Sequence, residues 1–171
     1  FLRGSPHDLV LGSVHYVRHE FTGPEYFTSR EPQAAYAAYF AAVEEAVSSG
    51  LFDTIAHFDV ARRYGMEAGV PLDLEPHWPR IDRILRLMVE RGTALELNTS
   101  GWRRGAQGPF PCEAILRRYV ELGGHRITIG SDAHTAADIG CDIPRGLEIA
   151  RRLGLTQVTR FVGRRPQLIP L

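Results

Sequence analysis

The chain has 171 residues, with 20 basic and 20 acidic side chains and a hydrophobic fraction of 44%. That length allows one domain, 1–171, with a sizeable core, and the zero formal charge excludes a nucleic-acid arm or an acidic-lipid surface as its main feature. No apolar run approaches the roughly 18 residues of a membrane span, and no signal-peptide pattern opens the sequence.

Two further counts exclude mechanisms. All 20 basic residues are arginine, which removes Schiff-base chemistry and a phosphate-loop lysine. The two cysteines, Cys112 and Cys141, stand too far apart for a Cys-x-x-Cys site. They read as idle thiols in a cytoplasmic protein without a disulfide framework.

Short apolar runs alternate with amphipathic segments along the chain. Residues 9–14 (LVLGSV) form the first candidate strand. A helix is expected over 32–49, with Tyr36, Tyr39, Phe40, Val43 and Val47 on one face and Gly50 after it. A short strand follows at 54–56. The next helix, 79–91, carries Ile81, Ile84, Leu85 and Met88 and stops at Gly92. After the strand at 94–97 (ALEL), a third helix follows Pro111. It presents Ile115, Leu116, Tyr119 and Val120 and stops at Gly123. After the strand at 126–130 (RITIG), a fourth helix starts at Pro144, with Leu147, Ala150 and Leu153, and stops at Gly154. A terminal strand is expected at 157–162.

Proline opens and glycine closes these helices. Proline fixes a helical φ where no amide proton is needed, and glycine accepts the left-handed turn past the end. Strand and helix in alternation predict an α/β fold with parallel strands, covered on both faces and joined by right-handed crossovers. The long irregular stretches, 18–31, 63–78 and 101–111, all follow strands and so share one side of the sheet.

Each strand ends in polar side chains. LVLGSV leads to His15, the strand at 54–56 to His57, ALEL to Asn98 with Arg103 close behind, and RITIG to Asp132 and His134. The C-terminal rim of a parallel sheet is where α/β proteins place their sites. Three imidazoles and a carboxylate suit Zn, Mn or Fe. An arginine beside them suits an anionic, phosphate-bearing small molecule. Ser131, Asp132 and His134 lack the Gly-x-Ser-x-Gly elbow of a serine hydrolase. His7, His19, His77 and His125 read as loop or surface residues. The arginine pairs 117–118, 151–152 and 164–165 read as solvated faces rather than a nucleic-acid patch.

The ordered motifs GSVHYV (12–17), AHFD (56–59) followed by RRYG, LELNTSGWR (95–103) and GSDAH (130–134) resemble the polymerase-and-histidinol-phosphatase (PHP) family. Within it they resemble the C-terminal part of the histidinol-phosphatase branch. The resemblance implies a distorted (β/α)7 barrel with a trinuclear metal cleft. It gives His15 and His57 as ligands of one ion, Asp132 of another and His134 of a third, with Arg103 and Arg63 binding phosphate. The expected activity is hydrolysis of L-histidinol phosphate to L-histidinol and phosphate, in histidine biosynthesis, with a metal-bound hydroxide as nucleophile.

The chain departs from the family pattern at Ala56 and Phe58, where Gly and Pro are usual, and at Trp102, where Leu is usual. No segment before His15 supplies the family's early His-x-His pair and bridging glutamate. With Phe1 in place of Met and a barrel of roughly 250 residues as the norm, the chain is expected to be a piece of a longer enzyme. Two alternatives stay open: another PHP phosphoesterase, acting on nucleotides or nucleic-acid ends, and a catalytically incomplete fragment.

Overall fold

The computed structural model describes residues 6–171; Phe1 lies outside them. In chain order the strands are β1 (Leu11–Gly12), β2 (Tyr16–Val17), β3 (Glu20–Phe21), β4 (Thr54–Ile55), β5 (Ala94–Asn98), β6 (Ile127–Gly130), β7 (Gln157–Val162) and β8 (Arg165–Pro170). The helices are α1 (Pro24–Thr28), α2 (Pro32–Ser48), α3 (Ala61–Glu67), α4 (Trp78–Arg91), α5 (Ser100–Arg103), α6 (Glu113–Glu121) and α7 (Ile143–Arg152).

The helix boundaries follow the punctuation of the sequence. Pro32 opens α2, and the Glu31 carboxylate caps it by accepting from the amides of Gln33 and Ala34, two of the donors a helix start leaves free. Gly92 closes α4 with φ 70°, a left-handed position that glycine occupies without a Cβ clash.

Strands β1, β4, β5 and β6 form a four-stranded parallel sheet in the order β1-β4-β5-β6. Among the described residues this sheet is open rather than a closed barrel. Its two faces differ. Ile55, Leu95, Leu97, Ile127 and Ile129 meet the apolar stripes of the helices, where Tyr36, Phe40, Ile84, Leu85, Met88 and Leu116 lie almost wholly buried. Thr54, Glu96, Asn98 and Thr128 alternate with these residues and are also buried. Thr54 Oγ1 lies 3.0 Å from Thr128 Oγ1 and donates to the Ala94 carbonyl at 3.1 Å. Both faces are covered, as expected, but the strands alternate in polarity where no clean alternation was read from the sequence.

Helix α7 presents Gly146, Ile149 and Ala150 to the core, whereas Leu147 and Leu153 are half-buried. The expected stripe is thus rotated, because Gly146 allows the helix to approach the sheet closely. A Cβ there would stand 2.9 Å from Leu97 Cδ2 and 3.0 Å from Ile129 Cδ1.

The stretches expected to be irregular hold several small features, among them α5 at the start of 101–111 and a single 3-10 turn at Glu75–His77. The others are the β2–β3 hairpin, α1, and α3, which covers the first residues of 63–78. The terminal strand β7 pairs antiparallel with β8. Cys112 and Cys141 are both free thiols. No helix of the described residues is long and apolar enough to cross a membrane.

Gly146→Ala raises helix propensity yet forces α7 away from the sheet. It is expected to destabilise the fold by about 1–3 kcal/mol, read as a lower urea midpoint with unchanged slope.

Candidate functional site

The parallel register brings the strand ends to one rim. Gly12 pairs with Ile55, Ile55 with Leu95, and Asn98 with Gly130. His15, His57, Ser100, Arg104, Asp132 and His134 then line one cavity of about 320 Å3, walled also by Tyr16, Phe21, Val60 and Tyr64. Four candidate ligands named from the sequence, His15, His57, Asp132 and His134, are thus brought together. The rings of His15 and His57 stand 4.9 Å apart.

His57 and Asp132 both have positive φ, 26° and 50°. For residues with a Cβ these are costly conformations, held by the surrounding structure and often found at functional sites. The hydrogen bonds that hold them are visible. The His57 amide donates to Glu96 Oε2 at 2.9 Å, and Ser100 Oγ lies 3.2 Å from Asp132 Oδ2.

Electrostatics keep the two inner imidazoles neutral. Burial lowers the His57 imidazole from 6.5 to about 4, the nearby His15 adds to this, and Asp132 opposes it. Burial likewise lowers His15, against the pull of Asp132 and helped by Arg104 and His134. Burial raises the carboxyl of Glu96. Neutral imidazole is the form that binds metals.

The donor set fits a divalent ion in kind. His57 Nε2 lies 3.2 Å from Ser13 Oγ. Its Nδ1 is buried and finds no hydrogen-bond partner among the described residues. The set is short in number: among the described residues no three His, Cys, Asp or Glu side chains converge closely enough to hold an ion.

The arginines divide. Arg104 lines the cavity, with Nη2 2.6 Å from His134 Nδ1 and 3.8 Å from Asp132 Oδ2. Arg103 sits behind Asp132. It donates to the carbonyls of Ser131 and Asp132 and pairs with Asp138 at 3.2 Å, while its buried Nη1 has no partner among the described residues. Arg63 is not among the residues lining the cavity; its Nε pairs with Glu67 at 2.8 Å, one turn along α3.

Sequence reasoning missed Arg104, whose only signal was its place beside Arg103. It missed Glu96 too, whose signal was a carboxylate alternating with leucines. His77 is no surface residue: it is buried against Tyr36 and Phe40, with Nε2 2.9 Å from Gln33 Oε1. His19 and His125 are exposed.

The loop that carries both site arginines is tied down from below. Asp59 and Arg62 form a buried ion pair at 3.0 Å. Arg62 also donates to the carbonyls of Ala106 and Pro109, and Asp59 accepts from the Cys112 amide at 3.0 Å.

A parallel sheet with imidazoles and a carboxylate on its C-terminal rim defines an α/β protein with a polar site at its strand ends. A family model described as the PHP domain matches residues 3–100, more than half of the chain, and the chain belongs to the PHP domain family.

It is 33% identical over 156 residues to a probable histidinol-phosphatase of Deinococcus radiodurans, covering 89% of this chain and 57% of that one. It is 24% identical over 166 residues to a histidinol-phosphatase of Lactococcus lactis, covering 95% and 61%. The chain thus spans about three fifths of these relatives. The fold matches the crystal structure of the L. lactis histidinol phosphate phosphatase complexed with zinc, L-histidinol and phosphate. The TM-score is 0.78 at 23% identity, covering 97% of this chain and 64% of that one.

The buried imidazole sets a pH dependence. His57 takes up a proton near 6.5 when unfolded and near 4 when folded. Between these values the unfolded chain holds more protons. The stability His57 contributes is therefore complete above the unfolded value and lost as pH falls toward the folded one. Glu96, raised by burial, acts in the opposite sense, so comparison with His57→Gln isolates the imidazole. In urea titrations of metal-free protein, the wild type is expected to lose about 3 kcal/mol more than the variant between about pH 7 and pH 4. Equal losses would show that His57 titrates as if in water.

Proposed function

We propose that this chain carries one side of the active site of a metal-dependent phosphoric monoester hydrolase that cleaves L-histidinol phosphate to L-histidinol and phosphate. The observation that carries the reading is the rim cavity. Neutral His15 and His57, Asp132, His134 and Arg104 surround it, in a family where the relatives matched here are named as histidinol-phosphatases. His15 and His57 would supply part of the ligand set of one divalent ion, and Asp132 and His134 would each be offered to a neighbouring one. Such an ion, when bound, supplies positive charge and acidifies a water.

The chain's own residues do the rest. The neutral imidazoles offer lone pairs without first releasing a proton. Arg104 directs its fork at phosphoryl oxygens, where charge builds during displacement. Arg103 holds the Ser131–Asp132 backbone and so fixes the carboxylate opposite the imidazoles. The half-buried setting strengthens these charge interactions relative to water.

A second reading is favoured by one observation: no three ligands converge among the described residues. On that reading the chain alone binds metal weakly and turns over slowly or not at all.

Phosphate release from L-histidinol phosphate with Zn or Mn supplied decides between them. Under the first reading, Arg104→Ala is expected to lower kcat/KM about 100-fold, while Arg63→Ala stays within about threefold because the side chain lies outside the cavity. His57→Ala is expected to abolish release, and an active variant would remove it from the site. Preference for a nucleotide would move the substrate to another PHP phosphoesterase. Tight binding of three ions per chain would overturn the second reading.

A further inference from the structure

We propose that Glu96, Asn98 and Ser100 act as a positioning relay. It runs beneath the cavity from His57 to Asp132 and holds these two residues at a fixed separation across β5. The proposal rests on the reading of His57 and Asp132 as opposite sides of the site.

The chain of contacts is continuous. The His57 amide donates to Glu96 Oε2 at 2.9 Å, and Asn98 Nδ2 donates to the same oxygen at 2.9 Å. Asn98 Oδ1 accepts from the Ser100 amide at 3.0 Å, and Ser100 Oγ meets Asp132 Oδ2 at 3.2 Å. Glu96 is 6% exposed, Asn98 1% and Ser100 1%, so water does not compete for these bonds.

Two independent features support the assignment. First, both ends of the relay are the positive-φ residues of the site, His57 and Asp132. A strained conformation persists only where neighbours over-determine it: the relay bonds the backbone amide of His57 directly, and at Asp132 it meets the carboxylate while Arg103 holds the backbone carbonyl. Second, Gly130 makes room for it. A Cβ at Gly130 would lie 2.6 Å from Glu96 Oε1, so the glycine that precedes Ser131 and Asp132 is the residue that seats the carboxylate.

Glu96 forms no ion pair among the described residues, and all its hydrogen bonds come from neutral donors. A buried carboxylate held only by an amide and a backbone N–H is a costly stabiliser. A single oxygen, Oε2, accepts both bonds, and that acceptor is what the strained His57 backbone requires. Glutamine can supply that acceptor through its carbonyl oxygen; alanine cannot.

The test is amide hydrogen exchange on metal-free, isotopically labelled protein, followed by zinc titration. Glu96→Ala is expected to speed exchange at the His57 amide by roughly 100-fold. The Leu95 amide, bonded to the Arg126 carbonyl in the sheet, is expected to stay within about threefold. Zinc affinity is expected to fall about tenfold or more. Glu96→Gln is expected to restore both. Asn98→Asp places a second carboxylate against Glu96 without changing volume and is expected to speed His57 exchange as well. If Glu96→Ala does not fold, the Gln and Asp variants decide.

Unchanged His57 exchange in folded Asn98→Asp and Glu96→Ala proteins would overturn the relay. So would normal zinc affinity in these variants when His57→Ala has lost it. If His57→Ala also leaves zinc affinity untouched, the ligand reading fails instead, and the exchange data alone judge the relay.

Discussion

The parallel pairing of β5 with β4 on one side and β6 on the other is the constraint from which the rest follows. Parallel ladders bring successive strand ends to the same edge, because every crossover must return the chain to the opposite edge before the next strand starts. With Ile55 opposite Leu95 and Asn98 opposite Gly130, the residues just past each strand fall within a few ångströms of one another. The cavity needs no long-range coincidence of loops; it is a consequence of register. A slip of one residue in β5 would turn Glu96 and Asn98 into the leucine layer and Leu95 and Leu97 toward the rim, since side chains alternate along a strand.

That alternation explains how one short strand serves two purposes. Leu95 and Leu97 anchor the sheet to the helices through apolar burial, while Glu96 and Asn98 occupy the face beneath the imidazoles. Polar groups on this face are tolerated because nearly every one has a partner: threonine with threonine, carboxylate with amide, amide with backbone. The apolar layer supplies the stability that the polar layer consumes.

Much of this was legible in the sequence. Helices announced by Pro and Gly and by an apolar stripe appear within a residue or two of their expected bounds, because capping and burial act locally and reinforce each other. The strand-end histidines and Asp132 were legible from position alone. What escaped depended on contacts distant in the chain or, for β8, on a local turn without the usual signal. β8 pairs with β7 across a two-residue turn at Gly163 and Arg164 that carries an unusual Gly-Arg pair. His77 resembles a loop histidine until α2 covers it with Tyr36 and Phe40. Arg104 rather than Arg63 reaches the cavity because the Asp59–Arg62 pair fixes the loop on α5 while α3 turns Arg63 toward Glu67, and no spacing rule encodes that choice. The face of α7 escaped because a glycine, not a large apolar residue, marks its closest contact.

The absence of lysine acquires a structural meaning once the contacts are known. Arginine forks fasten the outer elements to one another. Arg118 grips Asp82 between α6 and α4, Arg80 and Arg83 share Glu44 between α4 and α2, and Arg152 meets Glu113 between α7 and α6. Arg164 closes on Asp53 and pins the β7–β8 hairpin to the start of β4. A guanidinium keeps its proton beyond about pH 12, where an ammonium has surrendered its own. It also offers no ε-amine to acetylating or amine-directed reagents. The outer shell of this fold is thereby fastened with ties that alkaline conditions and lysine chemistry alike leave intact.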